Sequence, residues 1–190
     1  MSALYILIPV AIGLVGFIGG RAAIRWESLI NPKTDFHPYC TFIHGITEEM
    51  VVDAPELSNV LDSVGPALEG KIVAAHSPFD QGAVRDYCRR QGRQEPDWRW
   101  LDTVRVARRA WPHFKNQGGY GLPNLCDKLS INLDHHDALS DAEACGQILL
   151  KACAEKSIPL EDWPTASRRP LSGQWPDKSR YCREGSSAGP

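Results

Sequence analysis

No charged side chain occurs in the first 20 residues, MSALYILIPVAIGLVGFIGG, and no acidic residue precedes Glu27. The missing basic segment ahead of the apolar run argues against a signal peptide. The run is long enough to cross a bilayer, which takes about 20 apolar residues. Yet Pro9, Gly13, Gly16, Gly19 and Gly20 are many breakers for one helix, and the apolar pattern resumes after Arg21 as Ala22, Ala23, Ile24, Trp26, Leu29 and Ile30. AIGLVGF, IGGR and AAIRWESLI therefore predict a hairpin turning at Gly-Gly rather than a membrane span. The six cysteines lack both C-x-x-C pairs and zinc spacing, so they read as free thiols in a reducing cytoplasm. No internal repeat is present. A net charge of −2 gives no steer toward or away from a polyanion.

What is present is enough apolar residue, 43% of a 190-residue chain, for one domain with a core. LINPKTDFHPYC reads as a loop. Thr47 caps a helix at ITEEM, and Asp53 caps another that holds Pro55 in its first turn and fades at Gly65-Pro66. KIVAAH is a buried strand, and FDQGAVRDYCRRQG a helix stopping at Gly92. WRWLDTVRVARRAW gives a strand or loop and then a helix, and LPNLCDKL another helix. ALSDAEACGQILLKACAEK is amphipathic. Strands first, then helices alternating with a further strand, fit an α/β or α+β domain with a mixed sheet. From about Leu160 the chain turns rich in Pro, Ser, Arg and Gly, which predicts a disordered tail. The division is residues 1–158 for the domain and 159–190 for the tail. Trp175 and Tyr181 are its sparse candidate anchors.

Two places could carry chemistry. In AAHSPFDQG a buried strand ends at His76 and Asp80 opens the next helix. In DHHDALSDAEACG, His136 and Asp141 are five apart, so they share a site only if His136 lies on the loop and Asp141 in the first turns. Asp141 lies beside the stripe of Cys145, Ile148 and Ala152, where a carboxylate costs free energy unless partnered. A dipole-stabilised helix-start aspartate also explains each acid. Magnesium takes one or two carboxylates and leaves room for phosphate and water, and a histidine near neutral pH can take a proton from an attacking water. Asp80, Asp141 and His136 would supply part of a two-ion site.

At these residues the chain resembles the DEDDh family of 3′–5′ exonucleases, which includes the proofreading epsilon subunit of bacterial DNA polymerase III and ribonuclease T. HDALSD matches its H-x-A-x-x-D motif at His136, Ala138 and Asp141. HSPFD matches its middle motif from His76 to Asp80. LINP with IHGIT, and LDT with VRVARR, are similar too, so the likeness covers roughly residues 8–155. It implies a ribonuclease-H-like α/β fold, a mixed β-sheet flanked by helices, and two Mg²⁺ or Mn²⁺ ions. The implied activity is stepwise hydrolysis from the 3′ end of a nucleic acid, with DNA in proofreading or repair the expected substrate and a DNA polymerase a possible partner. By the resemblance Asp80 and Asp141 are metal ligands and His136 the general base. His44, Gly45, His76 and Phe79 would lie at the substrate, and Asp102 would hold structure.

The family's first motif, D-x-E on the first strand, has no counterpart here. The expectation is that the N-terminal strand is truncated, through a start downstream of the true one or a loss of the motif. Impaired activity of the chain as written should follow. An in-frame D-x-E-T-like strand encoded directly upstream would support a misplaced start. A cytoplasmic enzyme with neither a small-molecule cofactor nor a membrane partner is expected. The main alternative is a non-catalytic single-strand binder. It would use the basic residues 85–115, with nine Lys or Arg against four Asp or Glu. Trp98, Trp100 and Trp111 there read either as stacking surfaces or as core.

Overall fold

The computed structural model describes residues 9–34, 36 and 38–164. The chain opens with an antiparallel hairpin, β1 (Ala11–Ile18) and β2 (Arg21–Leu29), joined by Gly19-Gly20 at φ +57° and +78°. The left-handed backbone suits glycine, which has no Cβ to clash. The register shifts between Gly16 and Phe17, which pair with Ile24 and Ala22 and leave Ala23 of β2 as the extra, bulged residue.

Three helices follow: α1 (Pro38–His44), α2 (Glu48–Val51) and α3 (Leu57–Leu68). The predicted loop thus folds into a helix from Pro38, whose fixed φ and missing N–H suit a first helical position. Thr47 does stand at the N-cap of α2, without a side-chain cap bond. The next helix starts later than Asp53, with Glu56 at its N-cap position without a side-chain cap bond, and runs through Pro66. Its buried face of Leu57, Val60, Leu61 and Val64 holds it past a proline that removes one late hydrogen bond.

Next come β3 (Ile72–Ala75), α4 (Phe79–Arg90), β4 (Arg99–Asp102) and α5 (Thr103–Ala110). A short 3-10 turn (Pro112–Asn116) leads to α6 (Leu122–Leu129) and α7 (Ala138–Lys156). β3 and β4 pair in parallel from Ile72 with Arg99 to Ala75 with Asp102. Both strand directions of a mixed sheet are therefore present, but among the described residues they form two separate two-stranded sheets.

The main core gathers α5, α6 and α7 around Leu101, Ala107, Leu125, Ile148 and Ala152. A second cluster packs Ile30 with Leu57, Val84, Cys88 and Trp100. Trp100 and Trp111 are buried and therefore core, and Trp98 is half-buried against Trp100 with ring centroids 5.7 Å apart. The core reaches Trp163 at 2% exposure, beyond residue 158. The rest of the expected tail, with Trp175 and Tyr181, lies outside the described residues. Cys88, Cys126, Cys145 and Cys153 are free thiols. Among the described residues no helix is long and apolar enough to cross a membrane.

α7 crosses the hairpin with glycines at the contacts. A Cβ on Gly13 would come within 2.2 Å of the Ala138 carbonyl oxygen, and one on Gly146 within 2.1 Å of the Phe17 ring. Two of the supposed helix breakers, Gly13 and Gly16, sit inside β1. An ion pair between Arg25 and Glu143, 2.8 Å long, ties β2 to the same helix. The start of α7, which carries the candidate acid, is thereby set against a rigid strand.

Candidate active site

β3 delivers His76 at its carboxyl end, where the loop into α4 begins. Both ring nitrogens are taken by protein groups: Nδ1 meets the Thr103 hydroxyl and Nε2 the Tyr120 carbonyl, each at 3.0 Å. A carbonyl only accepts, so Nε2 carries the proton and Nδ1 accepts from Thr103. The Thr103 hydroxyl also stands 3.6 Å from the Cys145 sulfur. Burial pushes the His76 pKa down, while the Tyr120 bond and the nearby Asp102 and Asp141 pull it up. His76 is thus a neutral clamp between β3, α5 and the Tyr120 segment, with no ring nitrogen left for a substrate. Desolvation in the same place drives the Cys145 thiol up to about 12.

Ser77 turns the chain at φ +88°, and its hydroxyl accepts from the Phe79 N–H at 3.3 Å. That turn sets Asp80 in the first turn of α4. Asp80 reaches solvent on one side. The protein around its other sides still withholds enough water to raise its pKa, and repulsion from Asp141 adds to the rise. A helix N-terminus alone would lower it. The raised value therefore marks a carboxylate short of a cationic partner.

The second carboxylate comes from the start of α7. Asp137 caps the helix by accepting from the Ser140 N–H at 2.7 Å, and the Ser140 hydroxyl accepts from the Asp134 N–H at 2.8 Å. These bonds lock residues 134–140 into one tight turn. Asp141 follows, with 31% of its side chain exposed. His136 lies on the loop before the helix, as the five-residue spacing requires, at a left-handed φ of +78°. The residue that touches Asp141 is His135, with Nδ1 3.2 Å from the carboxylate. The His135 and His136 rings stack at 3.9 Å. Sequence reasoning missed His135; its only signal was the doublet His135-His136.

His44 ends α1 across from this loop. Burial lowers its pKa, and the proximity of His136 lowers it further. Its Nδ1 accepts from the Ile46 N–H at 3.1 Å, which leaves Nε2 facing outward as the donor. Gly45, at φ +70°, makes the turn that permits this. Beside it Phe42 stands 86% exposed. Asp102, as expected, holds structure: it caps α5 by accepting from the N–H groups of Val104 and Arg105 at 2.9 and 3.3 Å.

The structure thus brings Asp80, Asp141, His136, His44 and, behind them, His76 to one end of the β3–β4 pair. Among the described residues no three His, Cys, Asp or Glu side chains are grouped to hold a metal ion. Asp80 and Asp141 are a hard oxygen pair suited to part of a magnesium shell. They fall short of a two-ion cage.

The family model described as Exonuclease (RNase_T) matches residues 9–149. The chain is 34% identical over 153 residues to the DNA polymerase III PolC-type of Oceanobacillus iheyensis, covering 80% of itself and 10% of that protein. It is 33% identical over 144 residues to the 3′–5′ exonuclease DinG of Bacillus subtilis, covering 75% of itself and 15% of that protein. Among solved structures, Exonuclease X in complex with 5′ overhanging duplex DNA aligns with a TM-score of 0.62 at 25% identity, over 80% of this chain and 86% of that one. The nuclease domain of 3′hExo, a DEDDh family member bound to rAMP, shares the fold with a TM-score of 0.63 at 15% identity, over 77% of this chain and 78% of that one.

Proposed function

The chain belongs to the exonuclease family, in its DEDDh group with a ribonuclease-H-like fold, and on that premise we propose that it releases nucleotides from the 3′ end of a nucleic acid. The observation that carries the reading is the convergence of Asp80, Asp141 and His136 from two separate helix starts. Asp80 and Asp141 would hold a divalent cation, Mg²⁺ or Mn²⁺, together with phosphate and water. That cation would supply charge neutralisation at the scissile phosphate. His136 takes the proton of the attacking water, with His135 keeping Asp141 oriented. His44 and Gly45 form the opposite wall, where the outward Nε2–H of His44 can donate to the terminal nucleotide. Phe79 sits at the first residue of α4, next to Asp80. His76 acts behind the site as a positioning residue.

DNA is the favoured substrate, supported by the likeness to the PolC-type polymerases and Exonuclease X. A DNA polymerase as partner and a cytoplasmic setting go with the same reading. Because the site has two carboxylates among the described residues, slow turnover is the outcome this reading predicts for the 190-residue chain. The same shortage favours a second reading, in which the chain holds single strands without cutting them.

Release of a labelled 3′-terminal nucleotide from an oligonucleotide tests the proposal. His136→Ala should slow release by about 10²–10⁴-fold, and Asp141→Asn should remove both release and Mn²⁺-induced thermal stabilisation. Equal release by the wild type and both variants overturns it. Tight binding with no release selects the second reading.

A further inference from the structure

Residues 103–126 contain no Asp or Glu, yet they carry Arg105, Arg108, Arg109 and Lys115. Four of the five neighbouring cations are spent on local carboxylates, Arg99 being the exception. Arg85 pairs with Glu95, Arg89 and Arg90 with Asp86, and Arg93 with Asp62. Among the described residues Arg105, Arg108, Arg109 and Lys115 form no ion pair. α5 buries Thr103, Val106, Ala107 and Ala110 and leaves all three of its arginines exposed. Arg109 lies over the Trp163 ring at 5.3 Å. Arg108 lies over the Tyr120 ring at 5.7 Å. The carbonyl of that same Tyr120 accepts from His76, and Thr103 at the head of α5 holds the other His76 nitrogen. Arg105 follows on the exposed face one turn before Arg108. The strip therefore starts at the clamp behind the site and leads away from it.

We infer that Arg105 and Arg108, continued by Lys115, form a track for the phosphodiester backbone of a single strand whose 3′ end lies at Asp80 and Asp141. The inference rests on the proposed exonuclease reading and extends it to a subsite for nucleotides upstream of the scissile bond. An exposed cationic row whose one adjoining carboxylate, Asp102, is engaged as the cap of α5 attracts a polyanion by counterion release, and the gain grows with the number of phosphates covered.

The test is fluorescence anisotropy with 5′-dye-labelled phosphorothioate thymidine oligomers of 12 and 3 nucleotides in Mg²⁺, over a series of salt concentrations. The double variant Arg105→Gln/Arg108→Gln should bind the 12-mer about 10- to 30-fold more weakly near 0.1 M salt, and its log–log salt slope should fall by about 1.4. Affinity for the 3-mer should not change, and Arg105→Lys/Arg108→Lys should bind the 12-mer nearly as the wild type does. Unchanged binding of the 12-mer overturns the inference. So does equal weakening for both lengths, or a lysine variant as weak as the glutamine one, because each points to a structural role. The exonuclease reading fails separately, if His136→Ala and Asp141→Asn release the 3′ nucleotide as fast as the wild type.

Discussion

His76 and His44 show what enclosure does to single residues near this site. Each has a pKa held below the ordinary 6.5, with burial the largest cause. Between the folded value and 6.5 the unfolded chain binds protons that the folded chain does not. Their contribution to stability is therefore complete above pH 6.5 and is lost as the pH falls through 6.5 toward the folded pKa. Urea unfolding at pH 8, 6 and 5 should show that loss, and His76→Gln should flatten the dependence while lowering stability at pH 8. A profile unchanged by the substitution would remove His76 from the account. At this scale the sequence motifs singled out His136, Asp80 and Asp141, because the two acids stand at recognisable helix starts and His136 on the loop just before one. They did not reveal that His135 reaches Asp141, since that depends on the left-handed turn at His136. Nor did they reveal that His76 faces inward, which follows from the positions of Thr103 and Tyr120, 27 and 44 residues away.

The elements carry the site through close approaches rather than through large buried areas. Gly13 lets β1 lie against the start of α7, where only backbone would meet an added methyl group. Backbone cannot rotate away, so Gly13→Ala should cost about 1–3 kcal/mol and should also displace Asp141. Gly146 meets the far end of the Phe17 ring, which can move. A methyl group there gains about 1 kcal/mol of helix propensity, so Gly146→Ala should cost less than Gly13→Ala. Pro66 inside α3 points the other way: Pro66→Ala restores a helical N–H and should stabilise the protein by at least about 1 kcal/mol. Chemical denaturation ranks the three, and Gly13→Ala as the mildest change would contradict the packing described here. The hairpin, β3, α4, α6 and α7 were legible because their apolar period and their Gly, Pro and Asp boundaries agree. The start of α3 and the helix at Pro38 were not. Proline reads equally as a loop breaker and as a first helical residue, and tertiary burial decides between the two.

For the whole molecule, charge and apolar surface are distributed unevenly around one end of the β3–β4 pair. The acids Asp80 and Asp141 come from the starts of α4 and α7, the exposed arginines from α5, and Phe42 of α1 is 86% exposed. From Ala11 on, the apolar opening, ambiguous as a string, resolves into a hairpin because Gly19 and Gly20 make its turn and Gly13 lets β1 lie against α7. The basic segment proved legible only in part. Its composition was plain, but local carboxylates neutralise its first half and not α5, and two of its tryptophans went to the core. The central claim is directional removal of nucleotides from a 3′ end at this site. It is tested most directly with a 5′-labelled single strand and Mn²⁺, comparing a free 3′ end with one blocked by an inverted terminal nucleotide. A slow ladder shortening from the free 3′ end, absent on the blocked strand and absent with Asp141→Asn, is the predicted result. Cutting of both strands alike, or shortening that Asp141→Asn leaves intact, would contradict it.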